Sequence, residues 1–219
     1  MQMTDSTAQS KDDKIIKTPD EKQGLDIQGH IKIFDPETQE VYVDKHNAIH
    51  YENFSKSLAN SMANKTTGYV EEMHFGNGGT SVDATGIITY LTPNSSGDNA
   101  NLYNRTYYKS INDQSSLNTD TTRNKITIAH TSGTTYSDMI VSCLLDFGEP
   151  AGQSAFDNTT TVNDTYVFDE IGLFSWEGTA GSGNLLTHVI FHPVQKSLNR
   201  LIQIDYTIRI QSLTNFVDV

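Results

Sequence analysis

Cysteine is nearly missing from this sequence: Cys143 stands alone, so no intramolecular disulfide framework exists and stability must come from packing, subunit assembly or both. It lies in the apolar run Ile140-Val141-Ser142-Cys143-Leu144-Leu145 with no flanking base or cation to activate the thiol, and it is read as a buried small hydrophobe. Long apolar runs are missing too. None reaches the ~18 to 20 residues of a transmembrane helix, and the start, Met1-Gln2-Met3-Thr4-Asp5-Ser6, lacks the apolar core of a secretory signal. The expectation is a chain made and used without export through a membrane. Positive charge is scarce, with Lys and Arg numbering 15 against 27 Asp and Glu, for a formal net charge of -12. Such a surface repels nucleic acid and anionic lipid. The densest basic group, Lys11, Lys14 and Lys17, is offset by Asp12 and Asp13, so neither nucleic acid nor membrane is expected as a partner. Internal repeats and heptads are also absent, which argues against a fibrous shaft within the chain.

What is present reads as one β-rich domain preceded by an arm. Residues 1–26 are polar and charged, with Ile15 and Ile16 the notable apolar side chains, a composition that cannot offset the entropy of folding alone. They are read as a flexible polar arm of the kind a neighbouring subunit orders. Ile31 and Ile33 alternate with Lys32, Asp35-Pro36-Glu37-Thr38-Gln39 supplies turn chemistry, and Val41 and Val43 flank Tyr42: a β-hairpin. The spacing of Tyr51, Phe54, Leu58 and Met62, with Ala59 and Ala63, predicts an amphipathic helix of about four turns, capped by Asn47 and stopped by Thr66-Thr67-Gly68. After Gly68 the text is strand and loop: 69–75, 86–91, 103–110, 125–130, 138–147, 165–174, 185–191 and 200–211. The last segment alternates most cleanly, through Ile202, Ile204, Tyr206, Ile208 and Ile210. The fold class is mainly β, a β-sandwich or jelly-roll-like barrel, with the hairpin and helix over 27–67 and the main sheets over 68–219.

The constellations that could carry chemistry are thin. His46 and His50 have the i, i+4 spacing of a metal pair, but His46 precedes the expected cap and only Asp44 and Glu52 lie nearby. His188 and His192 share that spacing in a strand, where about 13 Å of separation forbids a common ion, and both are read as polar strand-edge residues. Gly76-Asn77-Gly78-Gly79-Thr80 lacks the Lys-Ser/Thr ending of a phosphate loop and is read as a tight turn requiring positive φ. Asp169 and Glu170, adjacent in a strand, are expected on opposite faces, which excludes a paired acid and base. No Gly-x-Ser-x-Gly elbow occurs. The reading is a non-enzyme with no catalytic, cofactor or metal residues and no cofactor.

Two stretches carry a resemblance. Asp44-Lys45-His46-Asn47-Ala48-Ile49-His50-Tyr51-Glu52-Asn53, followed by the helix and Phe75-Gly76-Asn77-Gly78-Gly79-Thr80, resembles virion structural proteins of tailed bacteriophages. Phe168-Asp169-Glu170-Ile171-Gly172-Leu173-Phe174, then Leu185-Leu186-Thr187-His188 and Phe191-His192-Pro193-Val194-Gln195-Lys196-Ser197, is similar to the Glu-Ile-Gly-Leu signature of the particle-attaching domains of tail-fibre and tail-collar proteins. Tail fibres continue from that module into a long shaft, whereas this chain ends soon after it, so the resemblance implies a compact tail, collar, neck or baseplate adaptor. It implies a homo-oligomer that binds itself and other virion proteins, located in the virion and assembled in the host cytoplasm. Two alternatives stay open: a capsid-surface decoration protein, and a module that binds a host surface glycan through Trp176, Tyr103, Tyr107 and Tyr108.

Overall fold

The computed structural model describes residues 24–97, 99–155 and 165–213. Twelve strands and one helix follow in the order β1 (Gly24–Phe34), β2 (Val41–His46), β3 (Ala48–Ile49), α1 (Tyr51–Met62), β4 (Val70–Gly76), β5 (Thr80–Val82), β6 (Ile88–Tyr90), β7 (Arg105–Ser110), β8 (Lys125–Ala129), β9 (Tyr136–Leu145), β10 (Thr165–Ser175), β11 (Thr187–Ser197) and β12 (Ile202–Leu213). They form a β-sandwich. One five-stranded sheet has the order β2-β1-β12-β9-β8, the other β3-β11-β10-β4-β7, and β5 pairs with β6 as a separate hairpin. Every pairing is antiparallel.

Alternation builds the first sheet. In β12, Ile202, Ile204, Tyr206 and Ile208 are buried, while Gln203, Asp205, Thr207 and Arg209 between them are half-exposed. Central placement between β1 and β9 suits this strand, because its inward side chains meet Ile31 and Ile33 on one flank and Val141, Cys143 and Leu145 on the other. Each such aliphatic side chain contributes roughly 1.5–3 kcal/mol on burial. The second sheet closes the same core with Met73, Phe75, Phe168, Ile171, Leu173, Val189 and Phe191. Phe168 stands edge-on to both Phe75 and Phe191, at centroid distances of 5.5 and 5.8 Å. Cys143 lies within this core, and burial pushes its thiol pKa up to about 12.

Several expectations are corrected. The arm expected over 1–26 lies outside the described residues as far as residue 23, and residues 24–26 already belong to β1, where Gly24 pairs with Leu213. The helix has twelve residues and ends at Met62, before the expected stop. Its cap is His50, whose Nδ1 accepts from the Asn53 amide at 3.3 Å, whereas Asn47 turns its side-chain amide to the Ala48 carbonyl. Half of its apolar stripe is buried: Phe54 faces inward and Leu58 is half-buried, whereas Tyr51 is 63% and Met62 81% exposed and the polar Asn53 and Ser57 turn inward. Asn53 is drawn in because its side chain donates to the Leu185 carbonyl at 2.9 Å, so a hydrogen bond brings a polar residue onto the buried face of the helix.

Gly172 is a point of close packing between β10 and β11. A Cβ there would lie 2.6 Å from the Thr187 carbonyl oxygen, which belongs to a paired strand and cannot give way. Gly172→Ala is therefore expected to lower unfolding stability by about 2 kcal/mol or more, seen as a reduced urea midpoint with an unchanged m-value.

Candidate functional site

The outer face of the second sheet is where the structure departs most from a plain sandwich. Several of its ionisable residues, Glu72, His74, Asp169, Glu170 and His188, are buried under loops rather than solvated. Two of them, Asp169 and Glu170, sit where the pairing of β10 with β11 shifts register between Phe168 and Glu170. Across this irregularity the inward positions switch from Tyr166 and Phe168 to Ile171 and Leu173. Asp169 and Glu170 are thereby both left on the outer side, and the expectation that they occupy opposite faces is overturned.

Both carboxylates then grip the same glycine-rich loop. Asp169 accepts from the amides of Gly79 and Thr80, each at 2.9 Å, and from the Thr80 hydroxyl. Glu170 accepts from the amides of Gly78 at 3.1 Å, Tyr103 at 2.9 Å and Asn104 at 2.8 Å. Its remaining partner is His188 Nε2 at 3.0 Å. The two acids respond differently. Burial raises the pKa of Asp169, and the hydrogen bonds from Thr80 and Gly79 offset this only in part. Burial also pushes Glu170 upward, but the bonds from His188, Asn104, Tyr103 and Gly78 outweigh it, leaving its pKa below the ordinary value.

The glycines serve this grip by being small. None of Gly76, Gly78 and Gly79 has positive φ, contrary to the turn reading. A Cβ on Gly76 would lie 2.6 Å from the Asn104 carbonyl, one on Gly78 2.7 Å from the Asn104 amide nitrogen, and one on Gly79 2.9 Å from Ile190. Close backbone approach, not backbone handedness, fixes these residues.

Histidines extend the anchoring. His188 is fully buried in the interior strand β11, which corrects its reading as a strand-edge residue, whereas His192 is exposed and lies 3.3 Å from the Tyr90 hydroxyl. With Nε2 donating to Glu170, His188 Nδ1 accepts from the Asn94 amide at 2.8 Å. His50 is wired alike, Nε2 donating to the Gly97 carbonyl at 3.1 Å while Nδ1 caps the helix. His46 lies on β2 with Nδ1 against the Gly29 carbonyl, so the spacing of His46 and His50 does not build a shared site. Among the described residues no group of three or more His, Cys, Asp or Glu could hold a metal ion, and no helix is long and apolar enough to cross a membrane.

Three further ionisable groups, Glu72, His74 and Lys196, are buried on this sheet. Glu72 accepts from the Gly181 amide at 2.9 Å and from His74 Nε2 at 2.8 Å. His74 stacks on Phe174 at 3.7 Å, and burial drives its pKa down to about 4 against the opposing pull of Glu72. Lys196 donates to the carbonyls of Asp146, Glu149 and Ser197 at 2.8–3.0 Å, and burial lowers its pKa to about 8. A signal exists for His74 alone, an ionisable residue between the apolar Met73 and Phe75; Glu72 follows Glu71, and Lys196 lies between Gln195 and Ser197, with no such pattern.

The aromatic residues named for glycan binding do not form one platform. Tyr107 is in the core against Phe75, Tyr108 lies on the outer side near His74, and exposed Tyr103 covers His188 while its hydroxyl donates to the Thr92 carbonyl. Trp176 is half-buried, its amide paired to the Tyr69 carbonyl.

Compared with known proteins, the chain matches no family model, no curated protein and no solved structure.

Removing the Glu170 carboxylate leaves three amides and His188 without their shared acceptor. Glu170→Ala is expected to cost about 3–5 kcal/mol and to raise hydrogen exchange at residues 78 and 103–104 beyond the rest of the sandwich. For His74, a folded pKa near 4 against an ordinary 6.5 means the unfolded chain takes up the proton first. Stability is therefore complete above pH 6.5 and falls as pH drops toward 4, with Glu170 adding a further loss as pH falls through its lowered pKa. His74→Gln should flatten the limb between pH 6.5 and 4 in urea titrations.

Proposed function

We propose that this protein is a structural component of a tailed-phage particle, an adaptor of tail, collar, neck or baseplate that works by protein–protein assembly with copies of itself and with other virion proteins. The observation that carries the assembly reading is the hairpin β5–β6. Val82 at 62% and Ile87 at 63% exposure, with Tyr90 and Leu91 also exposed, place four large apolar side chains on the strands of this short hairpin and directly beside β6. Clustered apolar exposure of this kind is costly in water and marks an interaction surface.

The root of that hairpin is held by the grip described above. Asp169 binds Gly79 and Thr80, the residues that open β5, and the Leu91 amide closes the other leg on the Gly79 carbonyl at 2.9 Å. The two stretches that resemble phage virion proteins, Phe75–Thr80 and Phe168–Phe174, are thus joined by direct hydrogen bonds at the base of the exposed element. This use of buried charge supports a scaffold role: each carboxylate is occupied by loop amides and presents a rigid surface. A pre-organised apolar hairpin loses little entropy on docking.

Sedimentation analysis of the purified protein, followed by mixing with particle proteins, tests the reading. A defined symmetric oligomer or a stable complex is expected, and Val82→Asp with Ile87→Asp should weaken it at least tenfold while leaving the circular dichroism spectrum and unfolding midpoint unchanged. A chain that stays monomeric at high concentration and joins no particle protein would sink the proposal.

A further inference from the structure

The outer face of the first sheet carries two histidines side by side. His30 on β1 and His46 on β2 are register partners, and such partners on an antiparallel pair stand with their Cβ atoms about 5 Å apart. They point away from the core, because Gly29 and Ile31 on either side of His30 are the buried positions of β1. Both border one surface pocket of about 250 Å³, together with Gln28, Gly29, Thr207 and Arg209.

Each imidazole is held by one ring nitrogen. His30 Nε2 lies 2.7 Å from Asp44 Oδ1, and His46 Nδ1 lies 3.2 Å from the Gly29 carbonyl oxygen. A carboxylate and a carbonyl only accept, so these nitrogens carry the protons, and in the neutral rings His30 Nδ1 and His46 Nε2 keep their lone pairs. Neither lone pair has a hydrogen-bond partner among the described residues. His50 and His188 differ in this respect, since both of their nitrogens are bonded within the protein. One nitrogen tied to a carboxylate or backbone carbonyl while the other stays free is the arrangement of a metal-ligating histidine, in which the outer partner fixes the tautomer and orients the ring.

The spacing suits a single ion. A tetrahedral ion about 2.05 Å from two imidazole nitrogens holds the ring centroids roughly 5 Å apart, and those of His30 and His46 are 5.3 Å apart. Arg209, the cation bordering the pocket, is paired to Asp138 through two bonds of 2.8 Å, so its charge is already balanced.

We infer that His30 Nδ1 and His46 Nε2 together bind one divalent transition-metal ion, of the zinc or nickel kind, with water completing its coordination and with Asp44 and the Gly29 carbonyl as the outer partners. Imidazole ligands select such ions over calcium and magnesium, which take oxygen. The ion clips β2, the edge strand of the first sheet, onto β1. Two protein ligands make a looser site than the four of a structural zinc centre. The inference does not depend on the assembly reading: the clip can form in a protein that stays monomeric and can be missing from one that assembles.

Calorimetric titration of the full-length protein with ZnCl₂, at about pH 7.5 in a non-coordinating buffer, is expected to show one ion per chain with half-saturation below about 0.1 mM, and no binding of CaCl₂. His30→Ala and His46→Ala are each expected to lower the affinity at least tenfold, and Asp44→Asn about tenfold through loss of the outer partner. A His130→Ala/His192→Ala variant, which removes two exposed histidines elsewhere, keeps the affinity of the parent. Nitrogen NMR of the imidazoles should place the ion on His30 Nδ1 and His46 Nε2. Zinc at about 100 times its Kd should raise Tm by about 5–10 °C, an effect absent from His46→Ala. Half-saturation above that concentration, an affinity untouched by His30→Ala, or one ion shared between two chains would each overturn the single-chain site.

Discussion

A carboxylate that is taken out of water must find donors for its oxygens, and in this protein that requirement organises everything outside the central core. Glu170 is fully buried and collects three backbone amides and one imidazole from segments that are distant in sequence: 78, 103–104 and 188. Asp169 beside it takes the next two amides of the same loop. An unmet partner at such a site costs more than any one of these bonds contributes, so the loops and the strand define one another's positions. The irregularity in β10 is what lets two consecutive acids point the same way, and the glycines are what let the loop come close enough.

The result is a sandwich with an added polar layer. The inner face of the second sheet packs conventionally, with Phe75, Phe168 and Phe191 against the first sheet, while its outer face buries Glu72, His74, Glu170 and His188 beneath loops 77–104 and 176–184. Hydrophobic burial supplies the bulk stability, and the outer layer supplies definition: it holds polar loops in one conformation and presents the β5–β6 hairpin on a fixed base. For a part whose proposed work is fitting against other parts, a rigid displayed surface is the property that matters, because ordering a loose loop on contact would weaken the fit.

Much of the framework was legible in the sequence, and the failures share one cause. Strands with period-two alternation, above all Ile202 to Ile210, were found because their burial is one-sided, and the hairpin at 31–43 was found from its turn residues. Short β3 and β5 were not, since two or three residues carry no period. Asn47 resembled a helix cap, but His50 took that place because its imidazole bridges the helix start and the Gly97 carbonyl. Strict alternation places Asp169 and Glu170 on opposite faces, and an irregular pairing cancels it. Glycine-rich turn chemistry points to positive φ at Gly76, Gly78 and Gly79, whereas the contacts that require them come from residues 104 and 190. Local pattern identifies elements; it does not disclose a hydrogen bond whose partners lie ninety residues apart.

The topology has a kinetic side. β1 pairs along its whole length with β12, so the middle of the first sheet joins the two extremes of the described chain. Contacts of such separation close slowly, because a very large loop must be ordered before any of them is rewarded. The second sheet is assembled from segments between them and also joins distant strands, β4 to β10 and β3 to β11, though none as far apart as β1 and β12. During ribosomal synthesis, therefore, β1 has only its hairpin partner β2 until β12 has left the exit tunnel, and the first sheet closes only then. Until then its exposed edge is the part of the nascent chain most in need of a chaperone.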